Sequence, residues 1–101
     1  MRKFDSPGLE PPVVELTTER ETHIQLRHPD LLPGHMHELE ETVRAPDLVV
    51  ANAHQPNKRA MAKWFGSLKG GKFVIVQVVT DEGPSNRHWI VTAYLDSVPP
   101  T

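Results

Sequence analysis

The chain reads as an α+β domain in which two N-terminal helices pack on an antiparallel sheet of four consecutive strands, with a short extra strand ahead of the helices. Three observations predict this. Thr18-Glu19-Arg20-Glu21 has the capping-box spacing that opens a helix, a hydroxyl three residues ahead of a carboxylate. The hydrophobic period changes from helical to extended at Asp47. Phe73-Val74-Ile75-Val76-Gln77-Val78-Val79 is apolar on both faces apart from Gln77, as a strand covered on both sides should be. A strand, two helices and then four strands joined by hairpins give an α+β order.

Taken in sequence, residues 1–12 carry Pro7, Gly8, Pro11 and Pro12 and read as a flexible N-terminal tail. Val13-Val14-Glu15-Leu16-Thr17 is β-prone, and Pro12 suits the start of an edge strand. The first helix should run from about Thr18 to His28, where Pro29 stops it because proline cannot donate and disfavours helical geometry in its predecessor. Leu32, Met36, Leu39 and Val43 recur at helical spacing, which predicts a second helix over about 32–44, closed by Pro46. Leu48 to Asn52, Ala60 to Phe65, Phe73 to Val79 and His88 to Leu95 are the four strands, with Gly66 to Gly71 a hairpin loop. One domain over 13–97 follows, with 98–101 a second tail containing Pro99 and Pro100. The expected core includes Leu16, Ile24, Leu39, Val43, Val74, Val76, Val91 and Ala93.

Composition removes several function classes. The 101 residues include no cysteine, so disulfides, thiolate nucleophiles and cysteine-ligated zinc are excluded. No apolar run is long enough for a bilayer span and Met1 to Pro12 has no signal-peptide core, so no membrane partner and a cytoplasmic location are expected. A formal net charge of -2 disfavours broad electrostatic binding of nucleic acid and leaves room only for a local basic site.

Two clusters could carry chemistry. Arg20, His23 and Arg27 share one stripe of the first helix, and His28 ends it, so a titratable imidazole stands one turn from a permanent cation. Such a pair can move a proton and hold a phosphate, although a capping histidine and an arginine paired with Glu19 or Asp30 are the ordinary alternative. On the last strand, alternation puts His88, Ile90, Thr92 and Tyr94 on one face and Trp89, Val91, Ala93 and Leu95 on the other, the second being the natural seat for the helices. Arg59 and Lys63 alternate on their own strand, so a basic side chain could stand over Thr92 and Tyr94. These residue types are also simply good strand formers and solvated cations.

His23-Ile24, Arg27-His28-Pro29-Asp30-Leu31, the helix ending at Pro46-Asp47, the Phe-Val-Ile-Val strand and the closing Ile90-Val91-Thr92-Ala93-Tyr94 resemble the phage-encoded barnase, EndoU, colicin and RelE-like nuclease family. The resemblance covers roughly Val13 to Leu95. It implies a barnase/RelE-like fold and a metal-independent endoribonuclease of phage or toxin type, acting on RNA, with an antitoxin, an immunity protein or a phage protein as further partner. In the reaction so implied, the ribose 2′-hydroxyl attacks the phosphate and a cyclic phosphate results. A base, an acid and donors around the phosphorane are needed. His23 is the expected base, since an ordinary imidazole pKa of about 6.5 suits neutral pH. His28 is the expected acid, with His88 in reserve. Arg27 and Lys63 would stabilise charge, Thr92 and Tyr94 would donate hydrogen bonds to phosphate oxygens, and Lys63, Arg59 and His88 would bind substrate. No metal or other cofactor is expected.

Two rival readings come from other classes. A metal hydrolase would need His35, His37, His54 and His88 to converge, and His35 and His37 point to different sides of a helix. A non-catalytic protein- or RNA-binding module would keep the core without assembling His23, Arg27 and Thr92.

Overall fold

A computed structural model describes residues 1–101. The elements in chain order are β1 (Arg2–Asp5), β2 (Val13–Leu16), α1 (Thr18–Arg27), α2 (Met36–Arg44), β3 (Leu48–Ala51), β4 (Lys58–Phe65), β5 (Lys72–Thr80) and β6 (His88–Asp96). All the strands belong to one six-stranded sheet in the order β1-β2-β6-β5-β4-β3. This corrects the expected four-stranded antiparallel sheet. The four consecutive strands β3 to β6 do pair antiparallel, with β5 interior, but β2 joins β6 in parallel through Val14↔His88 and Glu15↔Trp89. β1 then adds antiparallel to β2.

The N-terminal stretch is therefore no loose tail up to residue 12. Phe4 and Leu9 are buried in the main core, the Ser6 hydroxyl donates to the Val43 carbonyl at 2.7 Å, and Arg2 pairs with Glu21 at 2.8 Å. Burying a phenylalanine is worth about 1.5–3 kcal/mol, and together with Leu9, the Ser6 and Arg2 bonds and the pairing with β2 it holds a four-residue strand that has little β-periodicity of its own.

The first helix starts at Thr18 as expected, but the capping hydroxyl belongs to Thr17, one residue before the Thr18 of the capping-box reading. Thr17 is the N-cap and its side chain accepts from Arg20 N–H at 3.1 Å. The second helix begins only at Met36, because Pro33 has no N–H to give and Gly34 favours turns; residues 29–35 form turns that still bury Leu31 and Leu32. α2 packs over β4, β5 and β1, and α1 lies along β6 where β2 has ended.

A β-bulge in β6 overturns the predicted alternation. Gln77 faces Thr92 while Val78 faces Ile90, so Val91 is an extra residue on the β6 side. Ile90 and Ala93 consequently share the helix-covered face, Trp89 turns away with Thr92 and Tyr94, and Val91, expected in the core, is only half-buried. The helix-covered face holds a cluster of 16 buried residues, among them Ile24, Leu39, Val43, Val74, Val76 and Val78. The opposite, open face carries a small cluster of Ala60, Ala62 and Ile75 bordered by Leu48, Phe73 and Tyr94. No helix is long and apolar enough to cross a membrane.

Candidate functional site on the open sheet face

Sheet geometry sorts the expected site residues of the strands into two groups. Tyr94 lies opposite Ile75 and Thr92 opposite Gln77, both on the open face. His28 is the C-cap of α1, its N–H donating to the Ile24 carbonyl at 2.7 Å, and its ring meets Tyr94 with centroids 5.9 Å apart. The proline that ends the helix thus leaves His28 against the last strand, so one imidazole from the first cluster and one phenol from the second come together.

Arg27 precedes it and is exposed. Arg2, Arg20, Arg44 and Arg87 each pair with a glutamate, whereas Arg27 pairs with no carboxylate. The pairing with Glu19 or Asp30 that would make it ordinary is absent: Glu19 pairs with Arg20 and Asp30 with Lys69. His23 is half-buried and forms no hydrogen bond or ion pair. Arg20, on the same helix, stands 3.5 Å from the carbonyl of Val91, the bulged residue.

The other three residues are on the helix-covered side and are committed there. Lys63 donates to the Ala45 carbonyl at 3.0 Å and pairs with Asp47 at 3.4 Å, closing the end of α2. The Trp64 N–H, donated at 2.9 Å, and the Lys63 ammonium hold the Asp47 carboxyl below its ordinary range. Arg59 reaches the Thr80 hydroxyl at 3.5 Å. His88 is only 3% exposed, with Nδ1 against Thr80 Oγ1 at 2.8 Å and Nε2 against the Glu10 carbonyl at 3.0 Å. With Nε2–H donating to Glu10, Nδ1 accepts the Thr80 hydroxyl, and both ring nitrogens serve to fasten the N-terminal segment. Lys63, Arg59 and His88 therefore do not stand over Thr92 and Tyr94, because the bulge and the strand pairing put the sheet between them.

Beside Tyr94 the open face sinks into a cleft of about 360 Å³ lined by Val50, Asn52, Ala60, Gln77 and Asp96, with Val98–Thr101 folded over it. The expected C-terminal tail is thus part of this site. Gln77 had a visible signal, being the polar exception in the central strand; Asn52 and Asp96 had none. A further pair was illegible: buried Glu15 receives two hydrogen bonds from Arg87, at 2.8 and 2.7 Å, and Arg87 lies over the Trp89 ring at 4.2 Å. The guanidinium holds the Glu15 carboxyl below its ordinary range against the opposing effect of burial.

His35 sits against Glu38, His54 lies exposed in the β3–β4 loop and His88 is buried elsewhere, so the histidines do not converge. No group of three or more His, Asp or Glu residues is placed to hold a metal ion. No protein-family model matches the chain, and neither a curated protein nor a solved structure matches it.

Proposed function

We propose that this chain is a metal-independent endoribonuclease that cleaves single-stranded RNA on the open face of its sheet. The observation that carries the reading is the contact of His28 with Tyr94 beside Arg27, an arginine with no carboxylate partner. A permanent cation not neutralised within the protein can bind a phosphate, and an imidazole within a residue of it can pass a proton to or from that phosphate's ester oxygens. Thr92, on the same face, adds a hydroxyl donor.

In the proposed reaction His23 takes the proton of the ribose 2′-hydroxyl, and the freed oxygen attacks phosphorus. The bond from phosphorus to the 5′-oxygen breaks, and His28 returns a proton to that leaving oxygen. The products are a 2′,3′-cyclic phosphate and a 5′-hydroxyl. Arg27, Thr92 and Tyr94 stabilise the charge that gathers on the phosphorane oxygens. His23 is free of internal partners, which suits a base that must reach a substrate. In this reading the substrate is a cytoplasmic RNA. The test is incubation of the purified chain with single-stranded RNA and with DNA of the same sequence, in chelator. RNA should be cut to cyclic-phosphate ends and DNA left whole, because DNA lacks the nucleophile; intact RNA would overturn the reading.

A non-catalytic RNA- or protein-binding module is the second reading. It is favoured by the commitment of Lys63, Arg59 and His88 to the far side of the sheet, which leaves few cations near Tyr94.

A further inference from the structure

The cleft beside Tyr94 exists because β4 carries alanine where its neighbours carry larger side chains. Ala60 lies between Val50 on β3 and Gln77 on β5 in the cross-strand register, and its methyl group leaves the floor low. The hollow of about 360 Å³ is at the lower end for small-molecule sites, enough for one nucleoside.

Its polar equipment is unspent. The Gln77 carboxamide, flanked by Ala60 and Thr92, makes no hydrogen bond within the chain, so it still offers both a donor and an acceptor. Asp96 uses Oδ1 to accept the Val98 N–H at 3.2 Å, which holds the start of the overlying segment and leaves Oδ2 free. Asn52 accepts from His54 N–H and Gln55 N–H at 2.8 and 3.0 Å with its oxygen, which leaves its amide hydrogens available. Tyr94 supplies a ring, and the C-terminal segment Val98–Thr101 the roof.

The geometry points to a nucleobase site in this cleft, selective for bases that bear an exocyclic amino group and against uracil. Stacking on Tyr94 holds any base, because every base has a flat face. Selection comes from the edge. A carboxylate can only accept, so Asp96 takes an amino hydrogen of adenine, cytosine or guanine, whereas the one donor of uracil, its ring N3–H, is flanked on both sides by carbonyl oxygens that the carboxylate repels. The Gln77 carboxamide completes the contact by donating to, or accepting from, the atom beside that amino group. The inference rests on the ribonuclease reading for its natural substrate, and it would make Gln77 and Asp96 the residues that choose where RNA is cut.

The experiment titrates the full chain with adenosine, cytidine, guanosine and uridine 5′-monophosphates, following the Gln77 side-chain amide and the Val98 and Thr101 backbone amides by NMR. The amino-bearing nucleotides should bind about tenfold more tightly than uridine monophosphate, the weight of one good paired contact. Gln77→Leu should shrink that ratio to about twofold or less with an unchanged thermal midpoint. Asp96→Asn should raise uridine affinity, since an amide can donate to a uracil carbonyl. Equal binding of all four nucleotides, or nucleotide-induced shifts that miss Gln77 and Val98, would overturn the site. Base-selective binding without RNA cleavage would retain the site and remove the ribonuclease reading, whereas cleavage without selectivity would do the reverse.

Discussion

The two faces of the sheet use their side chains in opposite ways. On the helix-covered face the polar side chains of the strands are bonded: Lys63 to Ala45 and Asp47, Arg59 to Thr80, and His88 to Thr80 and Glu10. On the open face Gln77 and Thr92 have no internal bonds, and the His28–Tyr94 contact is one ring against another. Bonding capacity spent inside the chain holds the fold; capacity left over on a surface with a cleft is what a ligand can use. The same residue type falls on either side of this line, as His88 and His28 do.

The largest expected effect separates the faces by activity. His23→Ala and His28→Ala should each lower RNA cleavage by about 10²- to 10⁴-fold, the usual weight of general acid–base catalysis, with the thermal midpoint unchanged. His88→Ala should leave cleavage alone. If the histidine variants of α1 cleave at the parent rate, the open face is not the reaction site.

Stability should break along the other face. Phe4→Ala should cost about 3–5 kcal/mol in urea unfolding, the range for truncating a buried phenylalanine, a large part of a small domain's total. A loose N-terminal tail would show no such loss. His88→Ala should cost about 1–3 kcal/mol, because Thr80 and the Glu10 carbonyl would lose their partner.

Thr92→Val sharpens the comparison at a single hydroxyl. It should reduce cleavage by about tenfold, one lost hydrogen bond to a charged group, while keeping a β-branched side chain in the strand.

The smallest expected effect is a pH dependence of stability. Arg87 depresses the Glu15 carboxyl, and the Trp64 N–H depresses that of Asp47, so both groups stabilise the folded chain above their ordinary carboxylate values and lose that contribution as pH falls through the lowered ones. In chemical unfolding this contribution should therefore appear as a decline in stability as pH falls below about 4. Glu15→Gln should flatten that decline; an unchanged profile would mean the pair with Arg87 contributes nothing.

Legibility followed locality. The segments around Ile24, Leu39 and Val74 declare themselves by period, and all three are buried. Tyr94 and His28 could be singled out by residue type and by the proline after His28. The side of the sheet could be read from alternation only for Thr92 to Leu95, because one extra residue at Val91 reverses it for His88, Trp89 and Ile90. Lys63 and Arg59 went to the opposite face for a different reason: the β4–β5 register, which no local signal fixes, sets them beside Val74 and Val78. β1 has no local signature at all: Arg2-Lys3-Phe4-Asp5 becomes a strand through Phe4, Ser6 and Arg2 meeting partners contributed by distant elements.

The two-residue parallel junction between β2 and β6 sets a timetable for assembly. β3 through β6 join neighbours in sequence, so their hairpins close short loops and can form early. The N-terminal hairpin must instead meet the last strand, with Glu10 and His88 separated by 78 positions, and that closure carries a larger entropic cost. During synthesis β1 and β2 emerge first yet have no edge to join until β6 has left the ribosome. In the finished protein they should be the first strands to open and exchange their amide hydrogens, while the meander that bears Gln77, Thr92 and Tyr94 stays closed.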